Sequence, residues 1–397
     1  MKRPLPLLSW LVVLFATLAL IPEPARGQER GYPTTPSTRE GARWRIGYYE
    51  GGPYVNYPGN LREIARGLME LGWIEDCRIP EFDNPTDAHS MWTWLVGNGS
   101  SRYVQFVGNA YWSANWDGTI REKNRREALG LLKDRCVDLI IGMGTWAGQD
   151  LACREHSVPT MVVSTSDPVK SGIIRSAEDS GFDHVHAKCD PTRYIHQVRM
   201  FHNMIGFKRL GIVFENTLEG RTYAALEDVE QVARERGFKI ITCEAPFSGV
   251  DAETAAKGVA RCHGRLAPKV DAVYITVHRG ILPRFMPEIM APLFEKGIPT
   301  FSMRGPVEVR HGVLFSISRC DFKAVGRYHA EVIARIFNGA RPRDLDQIFK
   351  DPKKIAVNLK TAERIRYIVP PAFMKVADEI YKVIEVAEKD QGTSLPQ

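Results

Sequence analysis

The residues best placed by spacing to do chemistry are Gly142-x-Gly144-x-x-Ala147, with Asp167 about 20 residues on. In that pattern the glycines let backbone approach a phosphate, the helix start presents N–H groups, and the distal carboxylate takes a ribose hydroxyl. One alternative is therefore a dinucleotide-dependent enzyme. A second cluster is His184-x-His186 with Cys189 and Asp190 nearby. In a strand, residues two apart share a face, but no third metal ligand stands at a fixed spacing. No Ser-His-Asp order, G-x-S-x-G elbow or Walker A loop is readable. The seven cysteines, at 77, 136, 153, 189, 243, 262 and 320, are odd in number and contain no C-x-x-C. Most of them read as small buried hydrophobes, with one bridge, involving Cys243 and Cys262, left open. No catalytic residue, metal or cofactor is assigned.

These residues need elements to hold them, and the apolar pattern supplies them. Strand-like runs cover 44–48, 103–107, 137–142, 160–164, 209–214, 239–242, 272–277, 300–303 and 312–316. Amphipathic stretches that fit helices lie at 60–71, 124–133, 192–204, 223–236, 252–263 and 321–337. Such alternation predicts α/β architecture, with parallel sheets covered by helices on both faces. In sheets of this kind ligands bind beyond the carboxyl ends of the strands. Those ends read Tyr-Tyr-Glu-Gly-Gly at 48–52, Gly-Met-Gly-Thr-Trp at 142–146, Ser-Thr-Ser-Asp-Pro at 164–168, Glu-Asn-Thr at 215–217 and Val-His-Arg at 277–279. The stretch 74–101 breaks the alternation and reads as an insertion. Its tryptophans, with Tyr111, Trp112 and Trp116 after it, predict local packing of that insertion or a wall on which a ligand stacks.

The first 27 residues read as a cleaved secretory signal: Lys2 and Arg3, an apolar run from Leu7 to Ile21, then Pro22 before Ala25 and Gly27. A run of roughly 15 apolar residues is short for a bilayer span, which needs about 20. Residues 28–42, rich in Pro, Thr, Gly and charge, read as a flexible leader. The formal net charge is +6, and removing Lys2, Arg3, Arg26 and Glu23 lowers it by two. So mild an excess gives no argument for nucleic acid. A mature chain of roughly 370 residues exceeds what one core organises, so two domains are expected.

Several stretches together resemble one family. Residues 138–145 (Asp-Leu-Ile-Ile-Gly-Met-Gly-Thr) and 158–169 (Val-Pro-Thr-Met-Val-Val-Ser-Thr-Ser-Asp-Pro-Val) resemble the core of the tryptophan/tyrosine-type ABC transporter substrate-binding proteins. The likeness continues through 210–214, 270–274, 297–300, 336–340 and 357–362 to 368–370 and 377–378, so it spans most of 43–385. It implies a type I periplasmic-binding-protein fold, in which two doubly wound lobes joined by a hinge close on a small ligand. Crossings near Asp167, Pro299 and Gln347 would then give lobe I 43–166 plus 300–346 and lobe II 167–299 plus 347–390, with 391–397 as a tail. The implied role is the periplasmic solute-binding component of an ABC importer, a monomer that captures a small polar or aromatic molecule and meets a membrane permease. A ligand-sensing subunit for a membrane receptor kinase keeps the same fold with a different partner.

The resemblance also carries residues over. Thr145 matches the family's Gly-Thr turn, next to Trp146, where its hydroxyl either holds a ligand carboxylate or caps the helix. Ser166 matches the Ser or Thr before Asp-Pro, and Asp321 matches an Asp opening a late helix, as cap or as ligand contact. Asn56 and Tyr57 fall in the loop that walls one side of the family's cleft. The second lobe departs from the pattern. Glu215 stands where Asn is usual, and Val277-His278-Arg279 replace Thr-Asp-Asn. Trading an acidic residue for His278 and Arg279 predicts a ligand with an anionic or hydrogen-bond-accepting group there. The competing expectation has Arg279 in solvent and Glu215 supplying the carboxylate.

Overall fold

The computed structural model describes residues 31–82, 84, 86–318, 322–350 and 352–387. The signal expected at 1–27 and the tail expected at 391–397 lie outside the described residues. In chain order the first part runs β1 (Trp44–Glu50), α1 (Tyr57–Glu70), α2 (Ala88–Asn98), β2 (Val104–Ser113), α3 (Gly118–Lys133), β3 (Leu139–Met143), α4 (Thr145–Leu151), β4 (Thr160–Val163) and β5 (Val185–Ala187). Next come α5 (Arg193–Ile205), β6 (Arg209–Phe214), α6 (Leu218–Tyr223), α7 (Leu226–Arg236), β7 (Lys239–Glu244), α8 (Ala252–Leu266), β8 (Ala272–Ile275), α9 (Met286–Glu295), β9 (Thr300–Ser302), α10 (Pro306–Arg310) and β10 (Phe315–Ser318). The chain ends with α11 (Phe322–Phe337), β11 (Lys354–Asn358), α12 (Leu359–Arg364), α13 (Pro371–Met374) and β12 (Glu379–Tyr381).

Two sheets result, one per lobe. The first has the order β2-β1-β3-β4-β5 and is parallel throughout. The second runs β12-β11-β10-β9-β8-β6-β7 and is parallel except where β10 meets β11. Strand order reverses beside β1 and β3 in the first sheet and beside β6 and β8 in the second, which opens a crevice at each. This is the two-lobed, doubly wound fold of type I periplasmic binding proteins.

Sheet membership differs from the expected crossings at two places. β5 pairs with β4, so the first sheet extends well beyond Asp167. β9 pairs with β8 and β10 with β9, so the stretch from Thr300 to Ser318 belongs to the second sheet. The crossing segments meet near Cys189 and Ile348, which form a parallel bridge, with the Cys189 amide donating to the Gln347 carbonyl at 2.7 Å.

α11 then returns to the first lobe, where it packs along α1. Glycine makes the close approach of these two helices possible. A Cβ on Gly67 would lie 2.6 Å from the Ala330 methyl, and one on Gly326 would lie 2.4 Å from Glu63 backbone. The leader expected to be flexible is held from Pro33 on. Asn338 Nδ2 donates to the carbonyls of Pro33 and Thr35, and Trp73 Nε1 donates to that of Thr34.

The insertion is built around α2, whose first turn is capped by Asp87 accepting from the His89 and Ser90 amides. Its Trp92 is buried against Tyr48, Phe106 and Tyr111. Most of the aromatic segment is therefore packing. In the second lobe, one helix expected over 223–236 is instead α6 and α7, broken at Ala225 with φ 48°. Ala224, Ala225 and Leu226 are all buried, which a single amphipathic stripe does not allow. A disulfide joins Cys243 of β7 to Cys262 of α8.

Candidate functional site between the lobes

A cavity of about 300 Å³ lies where the carboxyl ends of the two sheets face each other. The first lobe contributes Tyr54, Asn56 and Tyr57 after β1, Trp116 after β2, Thr145 after β3, and Ser164 to Ser166 after β4. Lys188, Arg193 and Tyr194 line it near the crossing. The second lobe adds Tyr223 from α6, Phe247 after β7, Val277 after β8, and Arg304 after β9.

The lobes touch across this space. The Trp116 and Phe247 rings meet edge to face at 5.3 Å, and the Gly249 amide donates to the Trp116 carbonyl at 3.2 Å. Lys170 Nζ lies 2.6 Å from Asp228, whose side chain is buried.

Of the residues expected from sequence, Asn56, Tyr57, Thr145 and Ser166 are brought together on the cavity wall. The helix cap at α4 is Gly144, with φ 89°, and Thr145 is the first helical residue. A Cβ on Gly144 would fall 1.9 Å from the Tyr57 hydroxyl. The approach a pyrophosphate would need at this glycine is thus filled by a phenol. Trp146 stands one layer back, edge-on to Trp116 at 5.5 Å and beneath the Arg121 guanidinium. Asp321 lies outside the described residues.

Glu215, His278 and Arg279 do not line the cavity; they converge on the loop that carries Phe247. Glu215 Oε1 accepts from the Phe247 amide at 2.9 Å and the Ser248 amide at 3.0 Å, and Oε2 accepts from the Ser248 hydroxyl at 2.8 Å. Arg279 donates to the carbonyls of Val250 and Phe247. His278 is buried edge-on to the Phe247 ring, and burial pushes its pKa down to about 4, so it stands neutral. Arg279 is thus placed on its own loop and not on the cavity wall. A loop this polar at its backbone needs partners, and these strand-end side chains supply them.

Sequence reading missed Tyr54, Tyr223, Phe247 and Arg304. Arg304 followed from the strand-end rule applied to 300–303, had that strand been placed in the second sheet. Its guanidinium lies 2.8 Å from Glu308 and over the Tyr54 ring. Phe247 sits in Pro246-Phe247-Ser248-Gly249, a turn signal after a strand. Tyr223 was concealed by the break between α6 and α7. The imidazoles of the other candidate cluster are engaged separately: His186 Nε2 faces the Asp346 carbonyl at 3.1 Å, whereas His184 packs on His156.

The sequence profile described as ABC transporter substrate binding protein matches residues 113–381. The chain belongs to this family. Among solved structures, it is similar to an ABC domain in complex with L-Trp from Streptococcus pneumonia, at 18% identity and TM-score 0.63, covering 84% of this chain and 99% of that one. It is similar also to a conserved domain protein from Vibrio cholerae, at 18% identity and TM-score 0.62, covering 85% and 99%. A third is a substrate binding protein with adhesive properties from Clostridium difficile, at 16% identity and TM-score 0.55, with the same coverages of 85% and 99%. No curated protein matches the sequence. The protein is a solute-binding component of the ABC-transporter class. Among the described residues no helix is long and apolar enough to cross a membrane.

Proposed function

We propose that this substrate-binding protein works in the periplasm, takes one small polar or aromatic solute into the cavity between its lobes, and presents the closed form to a membrane permease. The observation that carries the reading is the cavity itself, about 300 Å³, walled by both sheets' carboxyl ends and bridged by Trp116 and Phe247. Each lobe alone offers half a site, so a solute touching both favours closure by its differential affinity for the closed form. Asn56, Tyr57, Thr145 and Ser166 contact the solute. Trp146 backs Trp116, and Glu215, His278 and Arg279 hold Phe247 in place. The protein acts as a monomer, delivered by the 1–27 signal.

The test is native mass spectrometry of the protein purified under mild conditions, beside an Asn56→Trp variant. Asn56 lines the cavity and its side chain makes no cap hydrogen bond, so the indole is placed to fill the solute's space without removing a helix cap. A small molecule retained by the wild type and absent from the variant is expected. Equal retention by both places the solute elsewhere and overturns the reading.

A further inference from the structure

Two tyrosines line the cavity from opposite lobes, each with its hydroxyl short of a well-formed hydrogen bond. Tyr54 comes from the turn after β1, Tyr223 from the end of α6, and they are 8% and 6% exposed. Neither hydroxyl makes a hydrogen bond of ordinary geometry, although Arg304 stands near the first and Thr145 near the second, and the Thr165 hydroxyl on the same wall makes none either. A buried hydroxyl left unpaired loses its hydration without replacement, and native interiors keep few of them. Burial also holds both phenols above their ordinary pKa, so each keeps its proton and remains a donor. Around them stand the ring faces of Tyr57, Trp116 and Phe247. Such faces favour a flat unsaturated body, stacked or edge-on.

We infer that Tyr54 and Tyr223 are solute-bonding residues that tie one ligand to both lobes, and that the ligand is a flat ring compound bearing acceptor oxygens at two separate positions. The inference rests on the reading of this cavity as the solute site. It assigns specificity to O–H donors: a ring without acceptors leaves two phenols unpaired on closure, and a site built around buried donors rejects such an analogue. It also divides the donors between the lobes, so a solute with a single acceptor satisfies one half and closes the protein poorly.

The experiment is isothermal titration of the full mature protein with 4-hydroxybenzoate, benzene-1,4-dicarboxylate and benzylamine. Wild type, Tyr54→Phe, Tyr223→Phe and Asn56→Trp are compared. The two oxygenated rings are expected to bind wild type and benzylamine not to. Each Tyr→Phe change is expected to weaken binding by about 2- to 12-fold, the equivalent of one neutral hydrogen bond. Because phenylalanine keeps the ring and removes the unpaired hydroxyl, solute-free thermal midpoints of both variants should equal or exceed that of wild type, which separates lost contact from lost fold. Undiminished affinity in both Phe variants overturns the inference, as does benzylamine binding as tightly as the oxygenated rings, or neither oxygenated ring binding. If Asn56→Trp abolishes binding while the Phe variants do not weaken it, only this inference fails. If Asn56→Trp binds as wild type does, the cavity reading fails with it.

Discussion

Glu215 occupies the end of β6, where a solute-facing carboxylate is expected, yet both its oxygens accept from residues 247 and 248 of its own chain. Glu215→Ala removes the acceptor for two amides, so a loss of about 1–3 kcal/mol in urea unfolding is expected; Glu215→Gln, which keeps a carbonyl oxygen, should lose much less. A variant Ala as stable as wild type would show that the loop does not depend on this side chain. Glu50, at the end of β1, is a different case. Burial raises its carboxyl to about 7, against hydrogen bonds from Tyr48 and Tyr111 that favour the ionised form. The folded chain therefore keeps a proton that the unfolded chain has already released above its ordinary 4.5. Stability contributed here is present below that ordinary value and falls as pH rises toward 7. Glu50→Gln carries no such loss, and its thermal midpoint should gain about 4 °C on wild type between about pH 5 and pH 8; parallel pH profiles would contradict this. At this scale the strand-end rule found Asn56, Tyr57, Thr145 and Ser166. It could not tell them from Glu215 and Arg279, because a strand end fixes where a side chain starts and not whether it turns to the cavity or to its own loop.

Among the elements, α1, α3, α5, α8 and α11 were legible from their periodicity, whereas β5 and β12 were not. β5 and β12 have three residues each, too few for any alternation to be read. β3, and β6 after Arg209, are continuous apolar runs, as strands covered on both faces must be. Missing β5 placed the first crossing too early, and the strand at 300–302 carried no mark of the sheet it would join. Pairing partners are set by tertiary packing, which a local pattern does not encode. The Cys243–Cys262 bridge pins the edge strand β7 to α8. Replacing both cysteines with serine should lower stability by about 2–4 kcal/mol in urea unfolding, and a midpoint unchanged from wild type would show that the edge is held without it. α1 and α11 meet through glycines, so Gly326→Val, which drives a side chain into Glu63 backbone, is expected to cost more than 3 kcal/mol, above about the usual overpacking range; circular dichroism melting reads it.

At the scale of the whole molecule, the lobes touch through side chains and backbone of the protein itself. Lys170 with Asp228, Trp116 with Phe247, and the Gly249 amide on the Trp116 carbonyl all favour the closed arrangement. Lys170→Ala leaves Asp228 buried without its cation. The solute-free population is expected to shift toward the open form on the order of 10-fold, read as a larger radius of gyration in small-angle scattering; identical scattering curves would mean the pair does not hold the lobes. Two domains were legible from the chain's length and two lobes from the family resemblance, whereas the particular contacts between the lobes were not, since they join residues with no shared sequence pattern. The return of α11 onto α1 has one more consequence. A chain made from its N-terminus carries the apolar face of α1 and the anchor sites of residues 33–35 without their covers until α11 and Asn338 emerge, after ten of the twelve strands among the described residues. Until they emerge the first lobe stays incomplete, and a nascent chain of this design stays open for most of its synthesis to any carrier that binds unfinished protein.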